Sequence, residues 1–326
     1  MNPGRRWLIT RLPLTLLAAP TTLSAQSTRP SARHTIGFLR VGQPPATFIE
    51  GFRQGLREVG RIEGKHVVID FGVAQTSDDL PRVAHELLQR HVSVIIASGT
   101  PSVVPAKNAT STVPVVFVAA IDPVAAGVVS SLSHPGGNVT GVTAMHADLV
   151  AKRIALVKEL LPKIGRVAVL ARATSPASAQ YVKEAEAAAP RLGVQLQVLT
   201  VFNVNEIEAA FGSMQGVSAL IVSDDAVFTA HRHEIARAAL KHRLPTMYGF
   251  SEMVDAGGLL AYGPHYGDMY RRAALQVQKI LNGTKPADVP VEQPVRFELV
   301  LNMKTARGLG LSIPQAVMLR ADQIIE

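Results

Sequence analysis

The chain has 326 residues, 47% hydrophobic and 18% charged, with 33 basic against 25 acidic residues for a net charge of +8. That length can bury a large core and suits two domains of about 150 residues, and the composition excludes a disordered or fibrous chain. With no cysteine, disulfides, thiolate metal sites and cysteine nucleophiles are excluded together, and the redox compartment stays open.

The first 25 residues read as an export signal. Arg5-Arg6 precede an apolar run from Leu12 to Ala19, and small residues follow up to Ala25. The run is too short to span a bilayer, so the reading is a cleaved signal, with residues 26–33 as a linker. Arg5-Arg6-Trp7-Leu8-Ile9 also has the look of a twin-arginine signal. In "LSAQ", Gln26 stands where a lipoprotein box would carry its lipidated cysteine, so the expected destination is the periplasm without a lipid anchor. Loss of Arg5, Arg6 and Arg11 with the signal leaves 30 basic against 25 acidic residues, or +5. The densest basic stretch, "HRHEIARAALKHR" (231–243), has no interleaved aromatics and reads as a solvated helix face, not a nucleic-acid site.

From His34 onward, apolar runs alternate with amphipathic stretches. "HTIGFLRV" is a strand, and "TFIEGFRQGLREVG" a helix with Ile49, Phe52, Leu56 and Val59 on one face. "KHVVIDFGV" is a strand, "DDLPRVAHELLQRH" a helix, "VSVIIAS" a strand, and "VPVVFVAA" another after "PSVVPAKNAT". The order then restarts with the strand "GRVAVLA" and the helix "SAQYVKEAEAAAPRLG". It continues through "VQLQVLTV", "NEIEAAFGSMQG", "VSALIVSDDAVF", a helix over His231–His242, and "LPTMYGF". A helix "GDMYRRAALQVQKILNG", a Pro-rich loop and the strand "FELVLN" lead to the end. Strand and helix in alternation predict α/β architecture with parallel sheets flanked by helices, here in two similar lobes. The glycine-rich pieces "HPGGNVTGVT" and "DAGGLLAYGP" fall where such lobes would join.

At Ser98-Gly99-Thr100-Pro101 a fully apolar strand runs into a helix start, where unpaired N–H groups and the positive dipole end suit a phosphate or a carboxylate. A phosphate fits less well, because no G-x-x-x-x-G-K-[ST] sequence is present. Catalytic sets are missing too. There is no G-x-S-x-G, no H-E-x-x-H around His233, and no G-x-G-x-x-G after a strand, so no catalytic residue, metal or cofactor is expected.

"FRQGLREVGRIEGKHVVID", "SGTPSVVPAKNATSTVPVVF", "DPVAAGVVSSLSHPGGNVTGV", "AALKHRLPTMYGFSEMVDAGGLLAYGP", "YRRAALQVQKILNGTKPADVPVEQPVRFELVLNMKTARGLGLSIP" and "LRADQIIE" occur in this order. Together they make the chain resemble the ABC-transporter substrate-binding proteins that include tryptophan/tyrosine-type binding proteins. The resemblance implies a type I periplasmic binding protein: two Rossmann-like lobes, three hinge crossings, and a ligand in the cleft. The lobes are expected at 34–143 plus 260–290 and at 144–259 plus 291–326. The implied ligand is a small carboxylate-bearing solute, an amino acid first, and the implied partners are ABC permease subunits around a monomer, without nucleic acid. A ligand sensor signalling through a membrane receptor is the alternative.

In facing α/β sheets the ligand sits outside the carboxyl ends of the strands. Expected contacts are Gly42, Gln43, Ser98, Gly99, Thr100, Asp122, Thr143, Ser175, Asp224 and Tyr248. Ser98, Gly99 and Thr100 would hold the carboxylate, Asp122 or Asp224 the ammonium, and Tyr248 would stack on the side chain. Asp225 is read as a helix cap, leaving Asp224 for the ligand. Arg172 is read as surface charge; turned inward, it would favour a second acidic group on the ligand.

Overall fold

A computed structural model describes residues 33–144 and 149–326. The proposed signal and the linker as far as Ala32 lie outside the described residues. The first lobe is built from β1 (His34–Val41), α1 (Ala46–Glu58), β2 (Val67–Ala74), α2 (Leu80–Gln89), β3 (Val94–Ser98), α3 (Thr100–Ala109), β4 (Val115–Ala120) and β5 (Val139–Thr143). Its five strands are all parallel, in the order β2-β1-β3-β4-β5. Every residue of β3 and β4 is buried, as their unbroken apolar runs require of central parallel strands covered on both faces.

Side-chain alternation along the strands supplies two cores. Ile36, Phe38, Val94 and Ile96 pack with Phe48, Phe52 and Leu56 of α1, while Leu39, Val41, Ile95 and Ala97 pack with Leu80, Val83 and Leu87 of α2.

The second lobe follows with α4 (Val150–Leu160), β6 (Arg166–Arg172), α5 (Pro176–Ala188), β7 (Gln195–Val201), α6 (Ile207–Gly212), β8 (Ala219–Val222), α7 (Ala226–Ala230), α8 (Arg232–Lys241), β9 (Thr246–Tyr248), α9 (Ser251–Asp255) and β10 (Leu260–Pro264). The chain then crosses back in α10 (Tyr266–Leu281). It returns again for β11 (Phe297–Asn302), α11 (Met303–Gly308), α12 (Gln315–Met318) and β12 (Gln323–Ile325). The seven strands run β12-β11-β10-β9-β8-β6-β7, parallel except for the β10–β11 pair. The α/β architecture and its two lobes are therefore as the sequence implies.

Sheet membership shifts two boundaries. Leu260–Pro264 belongs to the seven-stranded sheet, so the second crossing lies at His265 and not before residue 260. Val291 and Glu292 still bond to Leu132 and Gly141 of the first lobe, which puts the third crossing at residues 293–296.

Helix α10 is held to the first lobe by glycines. A Cβ on Gly51 would stand 2.2 Å from the carbonyl oxygen of Gly267, and one on Gly55 2.2 Å from that of Arg271. The absence of those two Cβ atoms lets α1 and α10 touch backbone to backbone. That contact fixes the N-terminal turns of α10, where Tyr266 and Tyr270 sit.

Candidate functional site

Between the strand tips of the two lobes lies a cavity that encloses ≈ 460 Å³ of non-atom space, part of it open to solvent. The first lobe lines it with Arg40, Phe48, Ser98, Gly99, Thr100, Pro101, Ala119 and Ile121, together with Tyr266 and Tyr270 of α10. The second lobe supplies Ser175, Ala177, Asp224, Asp225, Ala226, Thr229 and Phe250. A wider groove shares Thr100, Pro101, Ile121 and Ala177 with this cavity and continues to Gln75, Asp122, Gln180 and Phe202.

Arg40, the last residue but one of β1, stands in the cavity wall and is 2% exposed. Its Nε donates to the carbonyl of Val41 at 3.0 Å and its guanidinium carbon lies 5.5 Å from the Phe48 ring centroid. Its buried Nη1 has no hydrogen-bond partner. Burial pulls the Arg40 pKa below its usual value, with the Tyr270, Tyr266 and Glu252 side chains opposing and Arg232 reinforcing the shift. Arginine stays protonated under such shifts, so the cavity contains a desolvated cation.

An aromatic wall stands beside it. Tyr266 stacks on Phe48 with centroids 5.0 Å apart, Tyr270 on Phe48 at 4.7 Å, and Phe250 leans on Tyr266 at 5.0 Å. The Tyr270 hydroxyl lies 2.5 Å from Ser98 Oγ, and burial pushes its pKa to about 12.

The corner at Ser98 is largely satisfied from within. Gly99, at φ +81°, donates its N–H to Val118, and Thr100 Oγ1 accepts from the N–H of Ile121 at 3.1 Å. Pro101 has no N–H to offer. The β4 tip beside it is irregular: the β4–β5 register shifts between Val118 and Ala120, and Ala119 sits at φ +62°. Bulges and left-handed non-glycine residues of this kind concentrate where a strand end has to be re-aimed.

Both acidic residues of "SDD" reach the cavity, and each already carries an arginine. Arg153 of α4 donates from Nη1 to Asp224 Oδ2 at 2.5 Å, and from Nε to the carbonyl of Tyr262 at 2.8 Å. Burial works against the Arg153 charge, yet the Asp224 carboxylate holds its pKa above the usual value. Arg172 bridges both carboxylate oxygens of Asp225 from Nε at 3.1 Å, while Asp225 caps α7 by accepting from Val227 N at 2.8 Å. Arg172 is 8% exposed, so its charge is turned inward and neutralised, not displayed on the surface.

Of the residues expected from the sequence, Ser98, Gly99, Thr100, Ser175 and Asp224 line the cavity, and five others do not. Asp122, at φ +40°, is exposed and spends Oδ1 on the N–H of Ala125, a turn cap before the outer groove. Gln43 is exposed, and Gly42 faces Ala230 of the other lobe. Thr143 Oγ1 donates to Ala120, tying the first crossing to β4. Tyr248 is 1% exposed and lies against Gly258 in the core of the second lobe. Ser175 also caps α5 by accepting from Ser178 N at 3.3 Å.

Arg40, Phe48, Phe250, Tyr266 and Tyr270 escaped the sequence reading. The available signal was a lone arginine inside a strand otherwise buried at its end. Among the described residues no cluster of three His, Asp or Glu could hold a metal, and no helix is long and apolar enough to cross a membrane.

Comparison with known proteins gives the site its context. Residues 44–325 match the family model for ABC transporter substrate-binding proteins. A tyrosine-binding protein of Clostridioides difficile (strain R20291) is 27% identical over 80% of this chain and 76% of its own. The structure of the ABC domain of Streptococcus pneumonia in complex with L-Trp superposes with TM-score 0.83 at 27% identity, covering 90% of this chain and 100% of that one. The ligand-free, open structure of a substrate-binding protein with adhesive properties from Clostridium difficile gives only 0.64 at 26% identity, covering 90% and 99%. The cavity between two facing sheets, the three crossings and a match over most of the length lead to one conclusion: the chain belongs to the ABC transporter substrate-binding protein family, with the type I periplasmic binding fold.

Proposed function

We propose that this protein is the periplasmic solute-binding component of an ABC importer and captures a small carboxylate-bearing solute by closing its lobes on it. One observation carries the reading: a cavity shared by both lobes holds a buried guanidinium, Arg40, with an unpartnered Nη1. A buried cation without a counter-ion is costly, and an incoming carboxylate supplies the missing partner in a bidentate geometry. Ser98, Gly99, Thr100, Ser175 and Asp224 complete the proposed contacts, and the aromatic wall accepts an apolar or ring-bearing side chain. Amino acids are the class favoured by the relatives that bind tyrosine and L-Trp.

Delivery to permease subunits, export through the N-terminal signal and a monomeric state belong to the same proposal. Hinge closure about the three crossings gives a permease a shape to distinguish from the empty form.

Thermal-shift screening of the mature chain against amino acids, small carboxylates, sugars and nucleosides tests the reading, because a ligand that binds only the folded state raises its melting temperature. Carboxylates are expected to raise it, and Arg40→Gln to abolish the rise. Stabilisation by sugars or nucleosides alone would overturn it.

A further inference from the structure

Charge accounting around the cavity narrows the ligand further, and the argument rests on the carboxylate reading above. Three charged side chains line the space: Arg40, Asp224 and Asp225. Asp224 is 2.5 Å from the Arg153 guanidinium, and both carboxylate oxygens of Asp225 lie 3.1 Å from Arg172 Nε. Each of these acids therefore has a cation of its own. Arg40 forms no ion pair with any described residue, and its Nη1 is buried and unpartnered. Among the described residues, then, the lining carries one uncompensated positive charge and no carboxylate without a cation.

Glu252 is a further acid whose charge acts on Arg40. It lies off the lining, accepts from Thr47 Oγ1 at 2.5 Å, and burial raises its carboxyl to about 7, so it is partly uncharged at neutral pH.

An α-amino acid brings a carboxylate and an ammonium. Its carboxylate would find Arg40, but its ammonium would be stripped of water in a lining whose two carboxylates, Asp224 and Asp225, are each already bonded to an arginine. A solute with the same ring and carboxylate but no amine loses only what Arg40 replaces. We propose that the cavity takes an aromatic monocarboxylate lacking a cationic group, with its carboxylate on Arg40 and its ring against Phe48, Tyr266 and Phe250.

Isothermal titration of the mature chain with matched pairs tests this: 3-phenylpropionate against L-phenylalanine, 3-(4-hydroxyphenyl)propionate against L-tyrosine, and indole-3-propionate against L-tryptophan. Phenethylamine serves as the amine without a carboxylate. The deaminated acid of at least one pair is expected to bind at least tenfold tighter than its amino acid, and the amine not at all. Equal or tighter binding of the amino acids in every pair overturns this proposal and leaves the carboxylate reading standing. Binding of neither acids nor amino acids ends both. Arg40→Gln is expected to lose at least tenfold for the acid, and Arg40→Lys to retain part of it. Removing an unpaired buried charge is not expected to lower the melting temperature of the empty protein, which separates lost affinity from lost fold. Unchanged acid binding in Arg40→Gln would also overturn the proposal.

Discussion

Arg153 on α4 and Asp224 at the tip of β8 meet at 2.5 Å with side chains 0% and 3% exposed, one lying beneath the cavity and the other lining it. Such a pair is weak evidence for stability when whole, but removing one partner strands a charge in the interior. Asp224→Ala is expected to destabilise the ligand-free protein by about 3–5 kcal/mol in urea unfolding, and Asp224→Ala with Arg153→Met to recover much of that loss. An empty protein as stable as wild type would show that the pair has no structural role.

Gly42 lies at φ +66°, and a Cβ there would stand 2.5 Å from the Cβ of Ala230 on the other lobe. Gly42→Ala therefore obstructs closure besides straining its own backbone by about 1 kcal/mol. Small-angle scattering with saturating ligand is expected to show the variant remaining extended, with affinity at least tenfold lower. Ala230→Gly in the same chain is expected to restore compaction; failure of that rescue would place the defect in local strain alone.

Glu252 makes stability depend on pH. Burial, opposed by the Thr47 hydrogen bond, raises its carboxyl from 4.5 to about 7. Between those values the folded state holds a proton that the unfolded chain has released, so stability falls as pH rises through the window, by about 3 kcal/mol in full. Below the lower value there is no such dependence from this group. Unfolding free energies measured from pH 4 to 8 are expected to flatten in Glu252→Gln, and an unaltered slope would assign the dependence elsewhere.

Gly55→Ala tests the seam between α1 and α10. Its new Cβ would meet the Arg271 carbonyl oxygen at 2.2 Å, and forcing the helices apart is expected to cost about 1–3 kcal/mol. Because α10 carries Tyr266 and Tyr270, ligand affinity should fall along with stability. A variant that binds normally would show that the aromatic wall tolerates displacement of its helix.

Much of this architecture was legible in the sequence. "HTIGFLRV" and "FELVLN" coincide with β1 and β11, because apolar runs of strand length bounded by loop residues have few other readings. β5 and β10 were missed and read as glycine-rich joints. Gly141 lets Phe117 approach, where a Cβ would meet its carbonyl oxygen at 2.1 Å, and Gly263 does the same for Gly249 at 1.8 Å. In these strands glycine marks crowding and not a turn, a difference that local sequence does not display. α4 was not recognised either, and with it Arg153, the partner of Asp224 from 71 residues away.

At the site, short-range chemistry was readable and long-range pairing was not. The capping role of Asp225 follows from its place before a helix, whereas its grip on Arg172 requires two strands to be neighbours. Arg40 was passed over because a single arginine near a strand end resembles solvent-facing charge until the helices that cover it are known.

The outer groove passes exposed Gln75 on one lobe and exposed Gln180 on the other, in a chain that has no native thiol. A single cysteine at either glutamine would thus give an environment-sensitive dye one defined attachment point, at a rim where the lobes converge. Labelled in this way, the protein becomes its own optical reporter, able to screen candidate solutes without transport or a membrane.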